Sequence, residues 1–178
     1  EKIAHYKSFG DPENQKAMAG KLLPFKNYDL DSFKFTKKPA GENSIAFDAQ
    51  FLLRDHLQSM NDKLVIALPS PEIPSFEKPT AREYPVQIPY PIFNSDTIIL
   101  TIPAGMTVKS FPSTELTCES GSYKGRSTSI GNNLVTIRDI LIRSGETGPG
   151  QYPAFYSWIG AISAYERQNK IILNLTHE

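Results

Sequence analysis

The chain has 178 residues, 19 basic and 19 acidic side chains, three histidines and a single cysteine. At this length folding buries roughly two-thirds of the surface that the unfolded chain exposes, enough for a core without disulfides or metal. Balanced charge gives no field toward nucleic acid or an anionic membrane, and the lone Cys118 excludes an internal disulfide and every multi-cysteine zinc pattern.

The apolar content of 39% is that of an ordinary globular protein, and no apolar run approaches the roughly 20 residues needed to cross a bilayer. The chain opens Glu1-Lys2-Ile3-Ala4-His5, with neither an initiator Met nor an export signal, which reads as a start inside a longer protein. Asp11-Pro12-Glu13 supplies an N-cap, a proline at the first helical position and an acid in the first turn. A short helix follows, with Ala17, Met18 and Leu22 as its apolar stripe up to Pro24. Residues 1–27 are expected to be a helical lead-in from a preceding domain, and 28–178 a β-domain.

From Ser32 the period changes to two, with Phe33 and Phe35 against Lys34 and Thr36, and Pro39-Ala40-Gly41 closes that strand. Ile45, Phe47, Ala49, Phe51 and Leu53 also share one face at period two. Over 45–57 a helical stripe of Ala49, Leu52, Leu53, His56, Leu57 and Met60 competes with this reading. The strand is favoured because its pattern starts earlier and Asn61-Asp62-Lys63 returns it to Leu64–Leu68 as a hairpin. Prolines 69, 71, 74 and 79 make 69–81 an extended connection and a candidate internal boundary.

In Tyr84 to Ile92, Pro85, Pro89 and Pro91 remove backbone donors from one side of a strand, which predicts an edge strand bonded through its other side. Asp96 to Ile102 alternates cleanly, and Pro103-Ala104-Gly105 turns the chain. Val108 and Phe111 begin a further strand, Leu116 and Cys118 another, and Gly121 marks a turn into Tyr123–Ile130. The Gly131-Asn132-Asn133 turn leads to Leu134–Ile142, where Arg138-Asp139 interrupts the alternation and predicts a bulge. Ser144–Gly150 reads as a flexible loop before a helix with Pro153 in its first turn. Phe155, Trp158, Ile159 and Ile162 give that helix one apolar face, Asn169 stops it, and Ile171–Leu175 is a last strand. The fold class expected is mainly β: an antiparallel sandwich with a short N-terminal helix and a C-terminal helix packed on a sheet.

Chemistry-bearing residues are sparse. Cys118 lies in a strand pattern with no predicted helix N-terminus nearby to lower its pKa, so a buried, inert thiol is expected. His5, His56 and His177 are far apart, and the neighbours Asp55 and His56 would point to opposite faces of a strand. No catalytic, cofactor or metal-ligating residue is assigned, and the chain is not expected to be an enzyme. Tyr84, Tyr90, Tyr123, Tyr152 and Trp158 are the candidate interaction surface, able to stack on a glycan or a peptide, although core packing is the commoner role of such rings.

Five segments carry a resemblance. They are Arg82-Glu83-Tyr84-Pro85-Val86, Thr97 to Val108, Phe111-Pro112, Gly121-Ser122-Tyr123 and Tyr152-Pro153-Ala154-Phe155-Tyr156. In their order they resemble the C-terminal β-rich domain of bacterial transglutaminase-like proteins, over about the last hundred residues of the chain. The resemblance implies an exported, periplasmic or cell-surface protein whose papain-like core of Cys, His and Asp lies upstream as the partner of this domain. No catalytic residue carries over, since none of these positions matches the catalytic motif.

Overall fold

Helix α1 (Pro12–Leu22) begins at the proline whose fixed φ suits a first helical position. Its packed face is one residue away from the predicted stripe: Ala19 is fully buried and Met18 half-buried, whereas Ala17 and Leu22 are exposed. The chain then forms an antiparallel hairpin of β1 (Tyr28–Lys37) and β2 (Ile45–Leu53), with a bulge between Leu30 and Ser32. Strand, not helix, is thus the state of 45–53. Phe35 and Phe47 face each other with ring centroids 4.8 Å apart, and Phe51 meets Phe25 at 5.3 Å and Tyr28 at 6.0 Å. The Tyr28 hydroxyl donates to the Gly20 carbonyl at 3.4 Å, which ties α1 to the hairpin.

The structure is a computed structural model and describes residues 12–23, 25, 27–37, 45–54, 57–69, 71, 73–79, 83–108, 113–168 and 170–176. The predicted N-cap Asp11, the turn 39–41, Phe111-Pro112, the helix stop Asn169 and all three histidines lie outside the described residues. The chain divides into two compact units, Glu1–His56 and Leu57–Glu178. That division falls at neither 27/28 nor 69–81. The reason is pairing: β2 spends its hydrogen bonds on β1 and none on Leu64–Leu68, so the hairpin closes within the first unit.

In the second unit β3 (Leu57–Met60) and β4 (Lys63–Ala67) form their own hairpin across Asn61-Asp62. Asn61 takes φ of 54°, the left-handed conformation that asparagine tolerates. Next comes β5 (Val86–Ile88), much shorter than the predicted Tyr84–Ile92 strand, since its pairing stops at Pro85 and Pro89. Among the described strands it bonds only to β11 (Gly145–Thr147), a strand where a flexible loop was predicted.

Strands β6 (Ile92–Thr101), β7 (Met106–Val108), β8 (Thr114–Cys118), β9 (Gly121–Ile130) and β10 (Asn133–Ile142) precede α2 (Tyr152–Gln168) and β12 (Lys170–Leu175). Together with β3 and β4 these strands build two four-stranded antiparallel sheets, ordered β6-β10-β9-β8 and β3-β4-β12-β7. The tight turn between β9 and β10 is Gly131-Asn132, with Gly131 at φ of 57°.

One face of β10 shows how the layers meet. Leu134, Thr136, Arg138, Ile140 and Ile142 all point inward. At one end Leu134 packs with Ile66, Ile102, Ile171 and Leu173, which joins the two sheets. At the other end Ile140 and Ile142 lie under Phe155, Trp158, Ile159 and Ile162 of α2. Burying each such side chain contributes about 1.5–3 kcal/mol. The second unit is therefore mainly β, with its C-terminal helix packed on a sheet by the predicted stripe.

Candidate functional site

Between the two apolar halves of that face lies the polar part of the core. The predicted bulge at Arg138-Asp139 is absent: β10 keeps unbroken register with both β6 and β9, and Arg138 takes the inward position that the alternation assigns it. Its side chain and that of Glu166 on α2 are each only 2% exposed. Arg138 Nη1 donates to Glu166 Oε2 at 2.7 Å, while Nε and Nη2 donate to Asp96 Oδ1 and Oδ2 of β6 at 3.0 and 2.5 Å. The Tyr123 hydroxyl of β9 donates to the other Glu166 oxygen. Four elements thus share one buried network.

Burial by itself works against the Arg138 charge, but the hydrogen bonds and charges of Asp96 and Glu166 outweigh it and hold the guanidinium above its ordinary value. Burial and then the bond to the Glu166 carboxylate push the Tyr123 phenol well above its ordinary value. One cation and two carboxylates leave a negative charge, and the carboxylate that reaches solvent is Asp96, at 37% exposure.

Above this network opens a hollow of about 370 Å³. Four consecutive residues of β6, Phe93 to Asp96, line it together with Pro71, Tyr123, Arg138 and Ile140. The inward-facing Arg138 and Ile140 of β10 and Tyr123 of β9 place the hollow over the inner face of the sheet, out to its terminal strand β6. No described strand pairs with β6 on that side. Asp96 and Arg138 at its floor carry opposite charges and are hydrogen-bonded to each other.

The five candidate aromatic residues divide. Tyr84 and Tyr90, flanking β5, are each 77% exposed. Tyr123, Tyr152 and Trp158 are in the core. Tyr152 anchors the proline-rich connection by donating to the Glu77 carbonyl at 2.5 Å, and Phe76 packs edge-on against Phe155 at 4.8 Å. Among these rings only Tyr123 lines the hollow. Cys118 is half-buried on the inner face of β8, beside the core under α2. Among the described residues no three His, Cys, Asp or Glu side chains group as metal ligands would, and no helix is long and apolar enough to cross a membrane.

Sequence reasoning missed Arg138, Asp96 and Glu166. The signal was present: Arg138 holds an inward position of its strand, and Glu166 falls four residues after Ile162 on the apolar stripe of α2.

The fold and this network define an antiparallel β-domain closed on one side by a C-terminal helix. Residues 63–173 match DUF3858, a family described as a domain of unknown function with a solved structure, and the chain belongs to that family. Among solved structures it is similar to a protein of Parabacteroides distasonis described as a putative protease, with a TM-score of 0.54 and 17% identity. The similarity covers 66% of this chain and 24% of that one, so the chain spans about a quarter of that protein's length. No curated protein matches the chain.

Proposed function

We propose that the chain is a non-catalytic accessory domain of an exported bacterial transglutaminase-like protein, which packs on, or presents substrate to, a papain-like catalytic domain preceding it. The observation that carries this reading is the 24% share: the same fold forms a minor part of a longer protein described as a protease candidate. The site supports it too, since its charged groups are consumed in holding α2 to the sheet. The opposite face of that sheet presents Phe93, Ile99 and Ile130 outward, apolar area suited to a neighbouring domain. A periplasmic or cell-surface location belongs to the same reading and rests on the resemblance.

The test compares the full-length protein with versions carrying Ile99→Glu and Phe93→Glu. Faster proteolytic release of this domain, with its own melting transition unchanged, is the expected outcome. Turnover of a peptide substrate by the isolated 178-residue chain would sink the reading.

A second reading, an independent glycan- or peptide-binding module, is favoured by the exposure of Tyr84 and Tyr90. It predicts that Tyr84→Ala and Tyr90→Ala abolish capture on an oligosaccharide array, and equal capture by both variants rejects it.

A further inference from the structure

We propose that residues 71–79 are a polyproline-II ligand held in cis by an aromatic groove on α2, and that their release opens this groove to a proline-rich segment of a partner protein. The inference goes beyond the accessory reading and does not depend on it, because strap and groove both belong to the second unit.

Proline fixes φ near its polyproline-II value, and the residue before each proline is pushed to extended backbone as well. Pro71, Pro74 and Pro79 are restricted in the first way, Ile73 and Lys78 in the second. Among the described residues the strap enters no strand of any sheet. Its burial follows a repeat of three. Ile73, Phe76 and Pro79 form one half-buried row and Pro71 and Pro74 another, whereas Ser75 and Lys78 are exposed. Three residues per turn is the period of polyproline II; a strand, with period two, would bury Ser75 beside Ile73.

The groove has the chemistry that such a segment takes. Tyr152, Phe155 and Tyr156 fall at the i, i+3 and i+4 positions of α2, with the Tyr152 ring centroid 6.2 and 6.3 Å from the other two. Phe76 meets Phe155 edge-on at 4.8 Å, and the Tyr152 hydroxyl donates to the Glu77 carbonyl at 2.5 Å. Polyproline II has no internal hydrogen bonds, so its carbonyls accept from a donor of this kind, and aromatic-lined grooves recognise proline-rich segments.

The strap is also separable from the core that it covers. Every buried member of the cluster under α2 comes from β5, β9, β10 or α2 itself, and the strap adds only the half-buried Ile73 and Phe76. A segment with so small a share of the core opens locally at less cost than global unfolding. The partner sequence follows from the rows: an aliphatic residue, an aromatic residue and a proline at intervals of three, as in Ile73, Phe76 and Pro79.

The experiment follows the fluorescence anisotropy of a capped, fluorescein-labelled peptide with the sequence of residues 71–79, titrated with the 178-residue chain and with its Phe76→Ser variant. A control peptide has the same composition in an order that breaks the three-residue spacing. In the wild type the strap competes in cis at an effective concentration on the order of millimolar, which masks the groove. Phe76→Ser weakens the strap and leaves the groove residues unchanged. It is expected to bind the peptide at least about tenfold more tightly than the wild type does, and the control peptide at least about tenfold more weakly. Ile73→Ser, a second variant in the same row, is expected to act in the same direction. No binding by either variant into the millimolar range, equal binding of the two peptides, or equal binding by wild type and both variants each overturns the proposal. Loss of the cooperative melt in both variants also overturns it, because the strap would then be part of the core and not a ligand of it.

Discussion

At the residue scale the protein is organised around a charge in its core. Arg138 and Glu166 are both buried, so removing one partner strands the other without water. Glu166→Ala is expected to lower the unfolding free energy by about 3–5 kcal/mol, as read by urea denaturation. The double change Arg138→Met with Glu166→Leu should recover most of that loss, because it removes both desolvation costs at once. Asp96→Ala should cost less than Glu166→Ala, since Asp96 is partly in water. Tyr123 adds a pH dependence whose sign is fixed. Its pKa is raised in the folded state, so the unfolded chain loses the phenolic proton first as the pH rises. The contribution of Tyr123 is then fully present below about pH 10, the ordinary tyrosine value, and falls away above it. Denaturation curves collected from neutral to alkaline pH should show a steeper alkaline decline for the wild type than for Tyr123→Phe. Parallel curves would mean that the phenol titrates as in the unfolded chain.

At the scale of elements, the meeting of β9 with α2 depends on Gly121. A β-carbon built there would collide first with the Leu141 backbone carbonyl of β10 and would come within 2.7 Å of the Trp158 ring, so this glycine permits close approach of both the neighbouring strand and the helix and is not the turn residue that its neighbours suggest. Gly121→Ala should destabilise by about 1–3 kcal/mol, the usual cost of overpacking, and hydrogen exchange should report the loosening first in α2. An unchanged melting temperature would show that both the Leu141 backbone and the Trp158 ring give way freely. What was legible in the sequence follows from the same local physics. The α2 stripe, the alternation of Ile98, Leu100 and Ile102, and the Gly131 turn are all set by residues close together in the chain, and they appear where the pattern places them. Pairing partners are not local. Asn61-Asp62 makes the predicted turn, yet it joins β4 to the short β3, while the longer β2 finds β1. The site was illegible for a related reason: Asp96, Arg138 and Glu166 meet only after strand and helix are docked, and a lone charge in an alternating strand resembles a break in the pattern.

At the scale of the whole molecule, the division at 56/57 and the family match make a joint claim. The match to residues 63–173 begins at the first residue of β4 and ends within β12, so it falls entirely inside the second unit. Both hydrophobic clusters, both four-stranded sheets and the Arg138 network belong to that unit as well. By contrast the described residues of the first unit form one hairpin with its aromatic pairs and the helix α1, and Arg54 and Asp29 make an exposed ion pair. A two-stranded hairpin has little stability by itself, whereas a domain with a closed core unfolds as one cooperative body. A chain beginning at Leu57 is therefore expected to keep its β-rich far-ultraviolet circular dichroism and to melt in a single sharp transition. Glu166→Ala placed in that shortened chain should lower the midpoint by a shift comparable to that in the full chain, because the network it breaks lies wholly within the second unit. A broad, non-cooperative melt of the shortened chain would show that residues before Leu57 are required for the core to close, and would move the functional boundary upstream of the family match.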